Sequence, residues 1–176
     1  HPHLASLHAM VQGGQALVVH ATGVPYRERS HFDAQQVLES GGNRPFELST
    51  GWLGRALATQ REASGLALTT AVPLALRGSE RIDTWAPSSL PAPGADLIAR
   101  LEPLYANDAA LRDALARAKA LRAQPGMNET GAGGARQQAL MLARRAGEML
   151  ASANGPRVAM LEMGGWDSHA NQAAPN

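Results

Sequence analysis

Two short apolar runs constrain this chain more than any other feature: Ala16-Leu-Val-Val-His20 near one end and Arg157-Val-Ala-Met-Leu-Glu-Met163 near the other. Neither alternates strictly between apolar and polar residues. Each therefore predicts a strand covered on both faces, the pattern of a parallel sheet enclosed by helices. A third run, Leu66-Ala-Leu-Thr69, fits a strand as well, in a stretch from Gly65 to Ser89 that Pro73, Gly78 and Pro87 break into loops.

Helical periodicity fills most of the rest. Leu4, Leu7 and Val11 predict a helix ended by Gly13-Gly14. Ser30 to Leu38 predicts a second, with Ala34, Val37 and Leu38 inward and Gly41-Gly42 as its stop. Thr50 is read as the cap of a short helix carrying Trp52, Leu53, Ala56 and Leu57. Leu97, Ile98, Leu101, Leu104 and Tyr105 form a stripe disturbed by Pro103. Asp108 then reads as an N-cap for a helix carrying Leu111, Leu115, Ala118 and Leu121. After a Gly-rich linker from Gln124 to Gly134, a further helix places Leu142, Ala146, Met149, Leu150 and Ala153 inward, with Arg144, Arg145 and Glu148 outward.

Strand, helices, strand implies an α/β domain with a mostly parallel sheet over residues 1–176. Its two clearest strands are too few for a stable sheet, and the chain opens at His1 and stops soon after its most site-like motif. The expectation is an incomplete part of a longer protein, associated with the remainder. Hydrophobic residues make up 44% and charged residues 18%, a globular balance. A net charge of +1, with Lys and Arg scattered, disfavours nucleic acid as a partner. No apolar run approaches the roughly 18 residues a membrane span requires. The absence of Cys removes disulfides, thiolate catalysis and cysteine zinc sites.

Ligands in open parallel sheets collect beyond the carboxyl ends of the strands. Two polar clusters follow the two predicted strand ends: Arg27 to Asp33 and Asp167 to Asn171. Asp167 and His169, two apart in extended backbone, point to one side with Cα atoms about 6.5 to 7 Å apart. They can converge on one metal ion at about 2.0 to 2.2 Å, and Gly164-Gly165 allow the chain to turn sharply before them. The competing reading is an Asp-capped turn with His169 bonded to backbone.

Ser30 sits where an anionic ester can meet unpaired amides and the positive end of a helix dipole. Arg27 and Arg29 suit a phosphate or sulfate. From the residues alone, Ser30-His-Phe-Asp33 reads better as a capping box, with Asp33 in place of the usual Glu. His31 serves either a site or a solvated helix face. His20 reads better as a buried, hydrogen-bonded residue than as a ligand. Trp52 is expected in the core, and Trp52 with Arg55 otherwise lines a cleft. Gly131-Ala-Gly-Gly134 lacks the context of a phosphate loop, and Gly-x-Ser-x-Gly is absent.

Arg29-Ser-His-Phe-Asp-Ala-Gln35, Gly51-Trp-Leu-Gly-Arg55 and Gly164-Gly-Trp-Asp-Ser-His-Ala-Asn-Gln172 together resemble the domain-of-unknown-function 1501 family, grouped with alkaline phosphatases and arylsulfatases. The resemblance implies a partial alkaline-phosphatase-like α/β/α sandwich and a site for divalent metal, whether zinc, calcium or magnesium. It implies twin-arginine export and a periplasmic or secreted bacterial setting. It sets Ser30 in the place of the nucleophile, with Arg29 and His31 beside it and Asp167 and His169 as metal ligands. The implied substrate is an anionic small-molecule or polymer ester. Family members carry further metal-shell segments before the position of His1 and after that of Asn176, so this chain alone is expected to be a poor catalyst. The alternative is a non-catalytic exported protein that keeps the fold for binding or assembly. A metal-free Ser-His-Asp esterase ranks last.

Overall fold

The computed structural model describes residues 4–88, 91–124 and 134–164. In chain order it comprises α1 (Ala5–Gln12), α2 (His31–Ser40), α3 (Trp52–Ala58), β1 (Gly65–Ala67), a 3-10 turn (Leu74–Leu76), β2 (Ile82–Thr84), α4 (Ala95–Tyr105), α5 (Ala109–Arg122), α6 (Ala135–Leu150) and β3 (Val158–Met160). The chain is α/β, as its sequence pattern implies. Its sheet is small, open and all-parallel, with order β2-β1-β3.

The central strand is the run whose sequence was least decisive. Gly65-Leu66-Ala67 is buried throughout and pairs on both sides, Leu66 with Asp83 of β2 and with Ala159 of β3. The Gly65 amide donates to the Arg81 carbonyl at 2.9 Å, and the Leu68 amide to the Met160 carbonyl at 2.8 Å. Alternation then divides the core. Leu66 and Leu68 pack with Trp85, Ala146 and Met149, joined by Leu121 of α5 and Met141 of α6. Ala67 faces the other way, with Leu57, Ala63 and Leu76, joined by Leu53 of α3. Helices therefore cover both faces of the sheet, which is why β1 has no polar side.

The local helix signals are reproduced. Ser30 and Asp108 cap α2 and α5, accepting from the amides of Asp33 and Leu111. Gly41 ends α2 in the left-handed region, at φ 68°. Several expectations are corrected. Ala16–His20 forms no strand, and Leu17, Val18 and Val19 are exposed. An apolar run becomes a strand only when a partner ladder satisfies its backbone, and none reaches it here. The cap of α3 is Gly51 rather than Thr50, and Trp52 is 51% exposed rather than core. In α2, Val37 is buried but Leu38 is exposed, and Glu39 takes the inward position. In α6, Leu150 is exposed while Arg145 is largely buried and bonded to Glu148 at 2.7 Å. β3 is half-buried and stops at Met160, short of the predicted end at Met163. Among the described residues, no helix is long and apolar enough to cross a membrane.

Candidate functional site

The predicted ester site is built on the segment entering α2. Ser30 has extended backbone, at φ −111° and ψ 109°, and its Oγ accepts from the Asp33 amide at 3.3 Å. This satisfies one of the amides that a helix start leaves without an intrahelical partner. The capping box is completed differently from the sequence expectation. Asp33 Oδ2 accepts from the Tyr26 hydroxyl at 3.1 Å, so the carboxylate pins the incoming loop to the helix. Partial burial, then the hydrogen bond and charge of Asp33, raise the Tyr26 hydroxyl above its usual range, against a smaller lowering by Ser30. Tyr26 is thus held as a proton donor to Asp33.

Arg27, Arg29 and His31 are exposed around Ser30, and the His31 ring lies 4.3 Å from that of Phe32. The cluster therefore offers two guanidinium groups, a hydroxyl and a helix N-terminus within one short segment. The arrangement can hold a small anion by charge and amide hydrogen bonds. His20 is exposed, which removes the buried, hydrogen-bonded reading.

The motif Gly51-Trp-Leu-Gly-Arg55 has a structural explanation. A Cβ on Gly51 would stand 2.1 Å from the Leu74 carbonyl oxygen, and one on Gly54 would stand 2.1 Å from that of Arg77. Both glycines let α3 lie directly on the backbone of the 3-10 turn, where the Gly51 amide donates to the Arg77 carbonyl at 3.0 Å. Arg55 spans the same junction. Its NH2 donates to the Ser40 carbonyl at 2.8 Å and its NH1 to the Thr50 carbonyl at 2.9 Å. These bonds lock the end of α2 to the start of α3, so Arg55 is not a cleft residue waiting for an anion.

One buried carboxylate escaped sequence reasoning. Glu39 Oε1 accepts from Gln35 Nε2 at 2.6 Å, and Oε2 accepts from the Ala75 amide at 3.0 Å. A buried acceptor that meets a backbone amide 36 positions away fixes α2 against the 3-10 turn. No sequence signal marks it, because the predicted helix ends at Leu38 and a carboxylate is seldom buried. Glu39→Ala is expected to cost about 2 kcal/mol by stranding the Ala75 amide. Glu39→Gln should recover most of that loss. Urea denaturation of the two variants side by side measures the difference.

A cleft of about 280 Å³ opens at the amino ends of the strands, lined by Gly65, Arg81, Asp83, Arg117, Leu121 and Pro156. Its guanidinium groups are already engaged. Arg117 Nε lies 3.0 Å from Asp83 Oδ1, and Arg81 NH2 donates to the Gln60 carbonyl at 2.7 Å. It stands away from the carboxyl ends where open sheets collect ligands.

Asp167 and His169 lie outside the described residues, and Gly164 is the last described residue before them. Among the described residues, no three His, Asp or Glu side chains gather into a metal-binding group. An aspartate and an imidazole suit zinc better than calcium or magnesium, which favour oxygen-rich shells. They supply two donors of the usual four. The described residues do not complete a metal shell. No protein-family model, curated protein or solved structure matches the chain.

Proposed function

We propose that the protein is an exported hydrolase of phosphate or sulfate esters, built on an alkaline-phosphatase-like sandwich, with Ser30 as its nucleophile. The observation that carries this reading is the placement of the Ser30 hydroxyl at the N-terminus of α2, flanked by exposed Arg27, Arg29 and His31. The likeness of the three sequence motifs to a phosphatase and sulfatase superfamily supports it. Arg29, with Arg27, holds the anionic group, and the first-turn amides of α2 stabilise charge that develops on its oxygens. Ser30 Oγ forms a bond to phosphorus or sulfur as the bond to the ester oxygen breaks and the alcohol departs. Water then releases the anion and restores the hydroxyl. His31, the next residue in the chain, is the group proposed to exchange the proton. Asp167 and His169 would be two of the ligands of a divalent ion, which when bound would supply Lewis-acid chemistry.

Ser30→Ala is expected to lower stability by about 1 kcal/mol through the lost cap and to abolish turnover of aryl phosphates or sulfates. Assays run with and without added zinc, calcium or magnesium, alongside thermal unfolding, test both effects. Metal analysis of Asp167→Ala and His169→Ala accompanies them, and unchanged stoichiometry in both would remove the metal assignment.

A second reading is favoured by the 3.3 Å bond from the Asp33 amide to Ser30 Oγ. In that reading Ser30 is a helix cap only, and the protein is a non-catalytic exported binding or assembly protein. It predicts the same stability loss with no substrate turned over by the unsubstituted protein.

A further inference from the structure

The cleft at the amino ends of the strands has the parts of a small-ligand site. α5 borders it through Arg117 and Leu121, and the turn between α6 and β3 borders it through residues 154–156. Arg81 and Asp83, before and within β2, complete the lining on the sheet side.

These walls are fixed by the protein itself. The Arg157 amide donates to the Ser64 carbonyl at 2.9 Å, which ties the turn to the start of β1. Ser152 Oγ donates to the Met149 carbonyl at 2.8 Å, and the Gly155 amide donates to the Ser152 carbonyl at 3.0 Å. A Cβ on Gly155 would stand 1.9 Å from the Met149 carbonyl oxygen, so the turn closes this tightly only around glycine.

Each guanidinium group is anchored through one nitrogen, which leaves the others open. Arg117 Nε donates to Asp83 Oδ1 at 3.0 Å, and Arg81 NH2 donates to the Gln60 carbonyl at 2.7 Å. Arg117 NH1 and NH2, and Arg81 Nε and NH1, have no hydrogen-bond partner among the described residues. Two cations and one carboxylate therefore line the cleft, an excess of one positive charge. A guanidinium fork matches the two oxygens of a carboxylate. Anchoring each fork beforehand reduces the side-chain ordering that binding costs.

The surroundings also limit which anion fits. Asp83 and the carboxyl ends of α5 and α6 border the same space, and a helix C-terminus carries partial negative charge. A dianion meets both repulsions, whereas a single carboxylate matches the one excess charge. At about 280 Å³ the cleft is near the lower end of small-molecule pockets, which run from about 300 to 1,000 Å³. Leu121, Met149 and Pro156 give it apolar surface for a hydrocarbon body.

We infer that this cleft binds a small monocarboxylate with an apolar body, its carboxylate on Arg81 and Arg117 and its hydrocarbon against Leu121, Met149 and Pro156. The site uses none of the residues around Ser30. It is independent of the ester-hydrolase reading and stands if Ser30 proves to be only a cap.

Benzoate and hexanoate are the probes, titrated into the full chain and followed by calorimetry and amide NMR. At least one should bind saturably, with a Kd of about 1 mM or tighter, and shift the amides of Gly65, Leu121 and Gly155. Arg81→Gln and Arg117→Gln should each weaken binding about tenfold or more, the effect of losing a charged hydrogen bond. Ala120→Phe fills the cleft from an exposed position of α5 without changing a charge, and it should abolish binding. That variant decides the matter if the arginine variants fail to fold. Benzyl alcohol, which lacks the charge, and phenylphosphonate, which carries two, should shift the same amides at least about tenfold more weakly. Absence of saturable binding by both carboxylates would overturn the inference, as would shifts confined to Arg27 to Asp33. Equal binding of benzyl alcohol or phenylphosphonate at the cleft would overturn it as well.

Discussion

Gly54→Ala is expected to destabilise the protein by at least about 3 kcal/mol, although the residue lies in a helix where alanine is ordinarily preferred. Helix propensity alone would favour the change by about 1 kcal/mol. The tertiary contact opposes it. The new Cβ would stand 2.1 Å from the Arg77 carbonyl oxygen and 2.5 Å from that of Leu76. Both are backbone atoms, so no rotamer change relieves the overlap. Either α3 lifts from the 3-10 turn or the turn is displaced, and Leu57 and Leu76 lose their packing in the cluster they share. Gly147→Ala is the matched control. Gly147 is exposed inside α6, and a methyl group there would meet nothing within 4 Å, so substitution should stabilise by about 1 kcal/mol. Guanidinium unfolding should move the two midpoints in opposite directions. Equal effects would show that propensity rather than packing governs position 54.

The second large effect is expected from Leu66→Ala, at about 2 to 5 kcal/mol. Leu66 occupies the centre of the central strand, is 1% exposed, and touches the cluster that joins the sheet to α6. Truncation removes its transfer free energy and leaves a cavity between Trp85 and Met149 that the short strands cannot close without breaking the ladder. A typical domain is stable by about 5 to 15 kcal/mol, so one such change uses a large share of the total. Leu104→Ala, at a residue 73% exposed, should stay within about 0.5 kcal/mol. Urea titrations with unchanged slopes would attribute the contrast to the core rather than to the unfolded ensemble.

These two sites also mark how much of the molecule was legible beforehand. Caps were readable because they are local: Ser30 meets Asp33 and Asp108 meets Leu111 three residues on, and such bonds need no distant partner. The α/β class was readable because apolar strand runs and helical stripes differ in period. The burial of Glu39 was not readable, since its partner is the amide of Ala75. Nor was the role of Gly51 and Gly54. A glycine pair in a sequence motif suggests close approach, but only the position of the 3-10 turn identifies what approaches.

The candidate ester site follows the same division. The sequence brings Arg27, Arg29, Ser30 and His31 together because they are neighbours, and the helix start orients the Ser30 hydroxyl. The engagement of Asp33 by Tyr26, and of Arg55 by Ser40 and Thr50, became evident only from the folded arrangement.

By itself, then, the sequence determined the helices, the caps of α2 and α5 and the parallel α/β class, because those rest on interactions within a few residues and on the period of apolar side chains. Only the tertiary structure decided which apolar runs pair. It placed the ambiguous segment at Gly65–Ala67 in the centre of the sheet and left Ala16–His20 outside it. A strand is completed by hydrogen bonds to another part of the chain, and no periodicity within the strand can name that partner.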